Sequence, residues 1–255
     1  MIAISLQSGS NGNCIYVQSG GVRLLLDAGI SGLQAQRRLE TFGIDIRTVS
    51  AVLISHDHSD HIRCAGVYQR KFGLPVYATA RTLQAARRGA ALGPMNDVRL
   101  FEAGATLDLG ALTVRTVPTP HDGADGVAFV VSAGGKSLGV LTDLGHVFDG
   151  LASVVGALDA VFLESNYDPR MLRDGPYPEH LKARIAGPGG HISNVESAEL
   201  LAGAAGDRLK WACLAHLSEE NNDPKLALAT HRRIVPRSLP LMVASRYEAV
   251  GVLEV

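Results

Sequence analysis

The chain has 255 residues, 46% of them hydrophobic and 19% charged, enough apolar material for one large core in a single domain spanning 1–255. A formal net charge of −1 excludes a global bias toward nucleic acid, so any grip on phosphate has to come from a local patch. No apolar run approaches the ~20 residues that span a membrane, and Met1-Ile2-Ala3-Ile4-Ser5-Leu6 lacks the basic and long apolar regions of a signal peptide.

In chain order, strands are predicted over Ile2–Gln7, Ile15–Gln18 and Val22–Asp27, then a helix over Leu33–Phe42 and a strand over Ala51–Ser55. Ile62–Phe72 has helical spacing, Val76–Ala78 reads as a short strand and Thr82–Arg88 as a helix. Four strand-like runs follow, Val98–Phe101, Leu112–Val117, Val127–Ser132 and Ser137–Thr142. The last third alternates: helix His146–Val155, strand Ala160–Leu163, helix Asn194–Ala205 capped by Ser193, strand Trp211–Leu214, helix Pro224–Ile234 with proline in its first turn, and strands Leu241–Ala244 and Val250–Leu253. Many strands with helices interleaved at both ends suggest two sheets with helices on their outer faces, although spacing alone leaves a single doubly wound sheet open. Cys14, Cys64 and Cys213 are odd in number and scattered, which suits a reducing cytoplasm better than a disulfide framework.

The densest chemistry lies in Ser55-His56-Asp57-His58-Ser59-Asp60-His61, directly after the apolar run Ala51-Val52-Leu53-Ile54. Imidazole and carboxylate groups where a buried strand becomes a loop can converge on one point, and they are what zinc or manganese accepts. Asp57, between two candidate ligands, should point away from the metal. Further polar groups follow other strand-like runs: His121 after Leu112–Val117, Asp143 after Leu138–Thr142, Glu164 after Val161–Leu163 and His216 after Trp211–Ala215. Each alone could be an ordinary residue where the chain surfaces; together they suggest ligands gathered at sheet edges.

His-x-His-x-Asp-His at His56–His61, followed by His121, Asp143 and His216, resembles the metal ligands of the metallo-β-lactamase-fold superfamily. The resemblance implies an α+β fold, a four-layer αββα sandwich, with two divalent metal ions (zinc or manganese, with iron also accepted). His56, His58 and His121 would hold one ion, Asp60, His61 and His216 the other, and Asp143 would bridge them. A hydroxide shared by the ions would be the nucleophile, with Asp60 accepting its proton as well as ligating. Fold does not fix substrate, and the superfamily hydrolyses lactams, thioesters and phosphodiesters. An Asp at 143 departs from the best-known lactamases, which carry Cys there. Glu164 and His191-Ile192-Ser193-Asn194 resemble the extra pair of nuclease relatives, in which the Glu orients the His and the His protonates the leaving oxygen.

Ser8-Gly9-Ser10-Asn11-Gly12-Asn13, Thr142-Asp143-Leu144-Gly145, Glu164-Ser165-Asn166-Tyr167-Asp168, His191-Ile192-Ser193-Asn194 and His216-Leu217-Ser218 are similar to those of the YycJ/WalJ-like group. That resemblance implies a cytoplasmic 5′-to-3′ exonuclease whose partner is DNA with a 5′ end. A thioester or lactone hydrolase of the same fold, or a metal-binding protein without catalysis, are the alternatives, and Glu164 with His191 disfavours both. No insertion long enough for a clamp domain separates Asp143 from His216, so an open site is expected.

Candidate substrate contacts are Asn13, His180, Lys182 and Arg184; the alternative for His180 is a surface histidine at a helix end. The basic segments Arg81/Arg87/Arg88, Lys182/Arg184 and Arg232/Arg233 are candidate phosphate patches or solvated helix faces. His146 either approaches the metals or caps the next helix, His231 reads as structural, and Asn221 and Asn222 as site rim or turn.

Overall fold

A computed structural model describes residues 1–89 and 91–255. Strands β1 (Ile2–Gln7), β2 (Cys14–Ser19) and β3 (Val22–Leu26) run antiparallel in succession. Gly20 and Gly21, at φ 53° and 84°, make the two-residue turn between β2 and β3, where both positions need the left-handed region. Helix α1 (Gly32–Glu40) starts at Ser31, whose hydroxyl accepts from Gln34 N while the Gln34 side chain accepts from Ser31 N. β4 (Ala51–Leu53) then pairs parallel to β3, with Leu24 opposite Ala51 and Leu26 opposite Leu53. This register sends Asp27 and the Ile54–His61 segment out of the same sheet edge. Val52, Leu53 and Ile54 are fully buried, and each contributes about 1.5–3 kcal/mol of apolar burial, so the strand is a rigid base for the histidine segment.

Helices α2 (Ser59–Ile62) and α3 (Ala65–Phe72) replace the single helix expected over Ile62–Phe72. The break falls at Cys64, whose φ of −106° and ψ of 3° leave the helical region while its N–H donates to Ala28 O at 3.0 Å. β5 (Val76–Ala78), α4 (Ala80–Gly89) and β6 (Val98–Leu100) come next, both strands parallel to β4, and β7 (Thr106–Asp108) pairs antiparallel with β8 (Thr113–Pro118).

The next run builds β9 (Val127–Ala133), β10 (Lys136–Leu141), α5 (Leu151–Gly156), β11 (Ala160–Glu164), α6 (Pro169–Asp174), α7 (Glu179–Ile185), α8 (Asn194–Ala204), β12 (Trp211–Ala215), α9 (Pro224–Ile234) and β13 (Leu241–Val243). Their strand order is β13-β12-β11-β10-β9, with β10 to β13 mutually parallel. Leu141 faces Leu163 and Glu164 faces Ala215, so the residues after β10 and β12 emerge beside the last residue of β11. Helix α5 begins later than expected because Gly150 sits at φ 89° at its N-cap, and residues 146–150 are loop. Ser193 caps α8, as the sequence indicates, in a box with Glu196, and Asp223 caps α9 ahead of the expected Pro224 at its first position. The last strand, β14 (Leu253–Glu254), is shorter than the expected Val250–Leu253 and pairs antiparallel with β1, which completes a sheet in the order β14-β1-β2-β3-β4-β5-β6.

The strands therefore form two sheets and not one doubly wound sheet. By internal contact the chain divides into two compact units: Met1–Pro118 with Gly123–Val127 and Ser245–Glu254, and Thr119–Asp122 with Ala128–Ala244 and Val255. The first is cored by residues such as Ile4, Tyr16, Leu25, Val52, Ile54 and Tyr68, all fully buried. The second packs Phe162 edge-on to Trp211, ring centroids 5.4 Å apart, and clusters Leu214, Leu217 and Ala227.

Candidate metal centre

In the first unit the histidine cluster is built on a buried carboxylate. Asp27 follows β3 in the left-handed region, at φ 67°, a conformation that Asp tolerates better than most side chains. Its Oδ1 accepts from Ser55 N at 2.8 Å; its Oδ2 accepts from Ser55 Oγ at 3.0 Å and lies 2.7 Å from His61 Nδ1. With Nδ1–H donated to Asp27, the His61 ring presents the Nε2 lone pair, which lies 3.0 Å from Asn13 Nδ2 and 3.4 Å from Asp60 Oδ2. Ser55 Oγ, its own proton committed to Asp27, accepts His56 Nδ1–H at 2.9 Å and leaves His56 with an Nε2 lone pair as well. A carboxylate or hydroxyl behind the distal ring nitrogen is the usual way a ligating histidine is held.

The His56 ring lies 4.6 Å from that of His58 and 4.2 Å from that of His61, centroid to centroid. His58 is the N-cap residue of α2, so its backbone turns the chain into the helix that carries Asp60 and His61. Asp57 points elsewhere, as expected, and its Oδ1 accepts from Ala124 N at 2.6 Å. Gly29 is required by close approach, because a Cβ there would lie 1.7 Å from Asp60 O. Asn13 is buried, with its amide donating to Gly9 O at 3.1 Å and to Asp60 Oδ2 at 3.3 Å, so the structure gives it positioning contacts to the cluster.

In the second unit, Asp143, Glu164, His191 and His216 each offer a ligand atom, and those atoms all lie within 4.8 Å of one another. Asp143 and His216 take the left-handed conformation just past β10 and β12, at φ 57° and 56°, strain that clusters at functional sites. His216 Nε2 lies 3.4 Å, and His121 Nε2 3.6 Å, from Asp143 Oδ1. His121 donates Nδ1–H to Gly190 O at 2.7 Å, which again leaves Nε2 as the lone-pair nitrogen. Glu164, fully buried, takes His191 Nδ1–H on Oε1 at 2.6 Å and Leu144 N–H on Oε2 at 3.0 Å.

A polar network holds these segments in register. Asn166 Nδ2 donates to His216 O at 2.8 Å, and Asn222 Nδ2 reaches Ser165 O, Asn166 O and Asn194 Oδ1 at 2.8–3.0 Å. Asn221 and Asn222 are thus buried parts of the scaffold and not an exposed rim. The Gly/Pro-rich segment before His191 is likewise tied down, with Gly189 O accepting from Asp122 N at 3.0 Å and Pro188 O from His146 Nδ1 at 2.7 Å.

Of the expected substrate contacts, His180 is exposed on α7. Lys182 donates to Arg173 O at 2.8 Å and to Glu179 Oε1 at 3.0 Å, and Arg184 grips both oxygens of Asp122 at 2.7 and 3.1 Å. His231 is buried and structural, accepting from Ser197 Oγ at 3.2 Å and donating to Ala227 O at 2.9 Å. Sequence reasoning missed Asp27, Asn166 and the Gly190 carbonyl. Asp27 closes a strand as Glu164 does, so the signal that found Glu164 could have found it; Asn166 stands inside the Glu164–Asp168 motif with no role assigned to it there, and residue type does not mark the carbonyl.

The donor sets suit a borderline divalent metal: imidazoles of His56, His61 and His121 whose Nδ1–H is committed to a partner, and the carboxylate oxygens of Asp60 and Asp143. A model of the beta-lactamase superfamily domain matches residues 22–212. Exodeoxyribonuclease WalJ of Streptococcus pneumoniae serotype 2 (strain D39 / NCTC 7466) is 37% identical over 227 residues, 88% of this chain and 84% of that protein. Exodeoxyribonuclease YycJ of Bacillus anthracis is 36% identical over 222 residues, 87% and 84% of the two chains. Among solved structures, Zn(2+)-bound PqqB from Methylobacterium extorquens superposes with a TM-score of 0.76 at 18% identity, covering 100% of both chains, and this likeness shows the fold.

Proposed function

Since the chain belongs to the beta-lactamase superfamily, with a metallo-β-lactamase fold of the YycJ/WalJ-like kind, and is a metal-dependent hydrolase, we propose that it is a two-metal phosphodiesterase that degrades DNA from a 5′ end. The ligands in this reading are His56, His58, Asp60, His61, His121, Asp143 and His216. Bound divalent ions, zinc, manganese or iron, supply Lewis acidity for the phosphate oxygens and acidify the attacking water. Asp60 accepts a proton from that water. His191 protonates the oxygen that leaves as the P–O bond breaks.

The observation that carries the reading is the Glu164–His191 pair. A buried carboxylate holds Nδ1 at 2.6 Å and so makes Nε2 the edge that delivers a proton, with the His216 ring stacked 5.2 Å from the His191 ring. Hydrolysis of a thioester or lactone has no comparable need for a second positioned acid beyond the metals. The unbridged thiols Cys14, Cys64 and Cys213 fit a reducing compartment, and the cytoplasm is the location proposed. Among the described residues no helix is long and apolar enough to cross a membrane.

The test is digestion of linear DNA, labelled at either end and carrying a 5′ phosphate, with manganese, beside His58→Ala and beside a thioester substrate. Metal-dependent loss of the 5′ label first, abolished by the substitution, is the expected result. Thioester turnover without DNA degradation would overturn the reading.

A further inference from the structure

Helix α4 adjoins the histidine cluster through one short connection. Thr82 Oγ1, in its first turn, donates to Ala124 O at 2.8 Å, and Ala124 N donates to Asp57 Oδ1 at 2.6 Å. Gly123, in the same connection, packs so closely on His56 that a Cβ there would lie 2.8 Å from the ring. The helix therefore starts at the cluster's edge.

Its sequence, Ala80-Arg-Thr-Leu-Gln-Ala-Ala-Arg-Arg-Gly89, contains no acidic residue. Thr82, Leu83 and Ala86 face inward, while Arg81, Gln84 and Arg88 are exposed at i, i+3 and i+7 and so share one face. Arg81 approaches Asp125 only to 4.0 Å with its side chain 77% exposed, a surface pair worth little. From Arg81 to Arg88 the helix advances about 10 Å, the axial rise of about three phosphates of one strand. Beside this ridge a groove of about 460 Å³ opens between α4 and edge strand β6, with Leu83, Val98 and Leu100 in its lining and Arg87 and Gln84 along it. Leu100 is 62% exposed. Cationic side chains along an apolar trough are how proteins follow a nucleic-acid backbone while giving its bases a surface to rest on.

We propose that α4 is a backbone-tracking surface for the DNA substrate: Arg81 and Arg88 contact phosphates about three nucleotides apart on the strand being digested, and the α4/β6 groove shelters a base beside them. The inference rests on the DNA reading above and adds the surface that holds the strand beyond the bond being cleaved. It also offers a chain of net charge −1 a local grip on a polyanion, because α4 carries Arg81, Arg87 and Arg88 and no acidic residue beside the site.

The test is binding of a fluorescently labelled single-stranded DNA by anisotropy across a salt series, for wild type and Arg81→Glu/Arg88→Glu, with thermal melting to confirm folding. Hydrolysis of bis(4-nitrophenyl) phosphate, which has no strand to lay along α4, reports the intact reaction centre. Expected are DNA binding weakened at least about tenfold, a salt dependence shallower by about 1.4 in log–log slope (about 0.7 per lost phosphate contact on a single strand), and unchanged turnover of the small diester. Unchanged affinity and slope in the double variant overturn the tracking surface, and wild-type digestion of DNA, read separately, decides the DNA reading itself. A fall in small-diester turnover together with DNA binding would also overturn it, because the helix would then be shaping the centre and not holding the strand.

Discussion

His191 donates Nδ1–H to Glu164 Oε1 across 2.6 Å, and Glu164 is wholly buried at the end of β11. The other carboxylate oxygen is engaged by Leu144 N at 3.0 Å and Ile192 N at 3.4 Å. The acid side chain thus has no freedom to turn, and neither has the imidazole it holds. The pair joins the segment after β10, the end of β11 and the N-cap of α8.

Glu164→Gln places an amide NH2 against donors that already point inward. Leaving one of them unmatched costs about 1–3 kcal/mol of stability. The rate on DNA is expected to fall about 100-fold as His191 loses its orientation, with metal content unchanged. Chemical denaturation, metal analysis and single-turnover kinetics on one preparation check this; loss of metal would make Glu164 a ligand.

Asp27→Asn tests the support behind His61. The side chain still fits the left-handed backbone at φ 67° but loses the charge facing His61 Nδ1 at 2.7 Å. Removing such a partner behind a ligating histidine weakens metal affinity about 10- to 100-fold. Chelator competition measures it, and an unchanged affinity would show that His61 does not bind metal through Nε2.

Burial pushes the His231 imidazole down from 6.5 to about 4, against the opposing hydrogen bond to Ala227 O. Between those values the unfolded chain binds the proton that the folded chain refuses. The associated stability is fully present above pH 6.5 and is lost as the pH falls toward 4, by about 3 kcal/mol in all. His231→Gln should be less stable at neutral pH yet lose less on acidification, read as urea midpoints at pH 7 and pH 4.5. Parallel acid slopes for the two proteins would contradict the assignment.

Most strands and the helices α8 and α9 were legible because their signals are local: alternating or continuous apolar runs, Ser193 as a cap, and Pro224 in a first turn. The seven ligand candidates stand out in sequence because His56–His61 form one dense motif after a strand, and His121, Asp143 and His216 each follow a strand-like run. What sequence could not show depends on neighbours far along the chain. Cys64 breaks the expected Ile62–Phe72 helix by bonding Ala28, 36 positions earlier, with no Gly or Pro at the break itself to announce it. Helices α6 and α7 are short, and of the two only α6 carries a local mark, Asp168 capping Arg170 N and Met171 N just before Pro169. The substrate contacts were hardest to read: Asn13 and Arg184 are candidate substrate contacts in sequence, yet Asn13 is buried against Asp60 and Arg184 is locked to Asp122. Asn166 and Asn222 act in part through backbone carbonyls, which leave no trace in residue type.

The role of His191 is the most direct point of attack on the account. His191→Ala, assayed for bound metal by elemental analysis and for degradation of 5′-phosphorylated DNA in parallel, should retain the wild-type metal content and lose about 100- to 10,000-fold in rate. Loss of metal would make His191 a ligand, and an undiminished rate would leave the leaving oxygen without its assigned proton donor; either result contradicts the nuclease mechanism proposed for this chain.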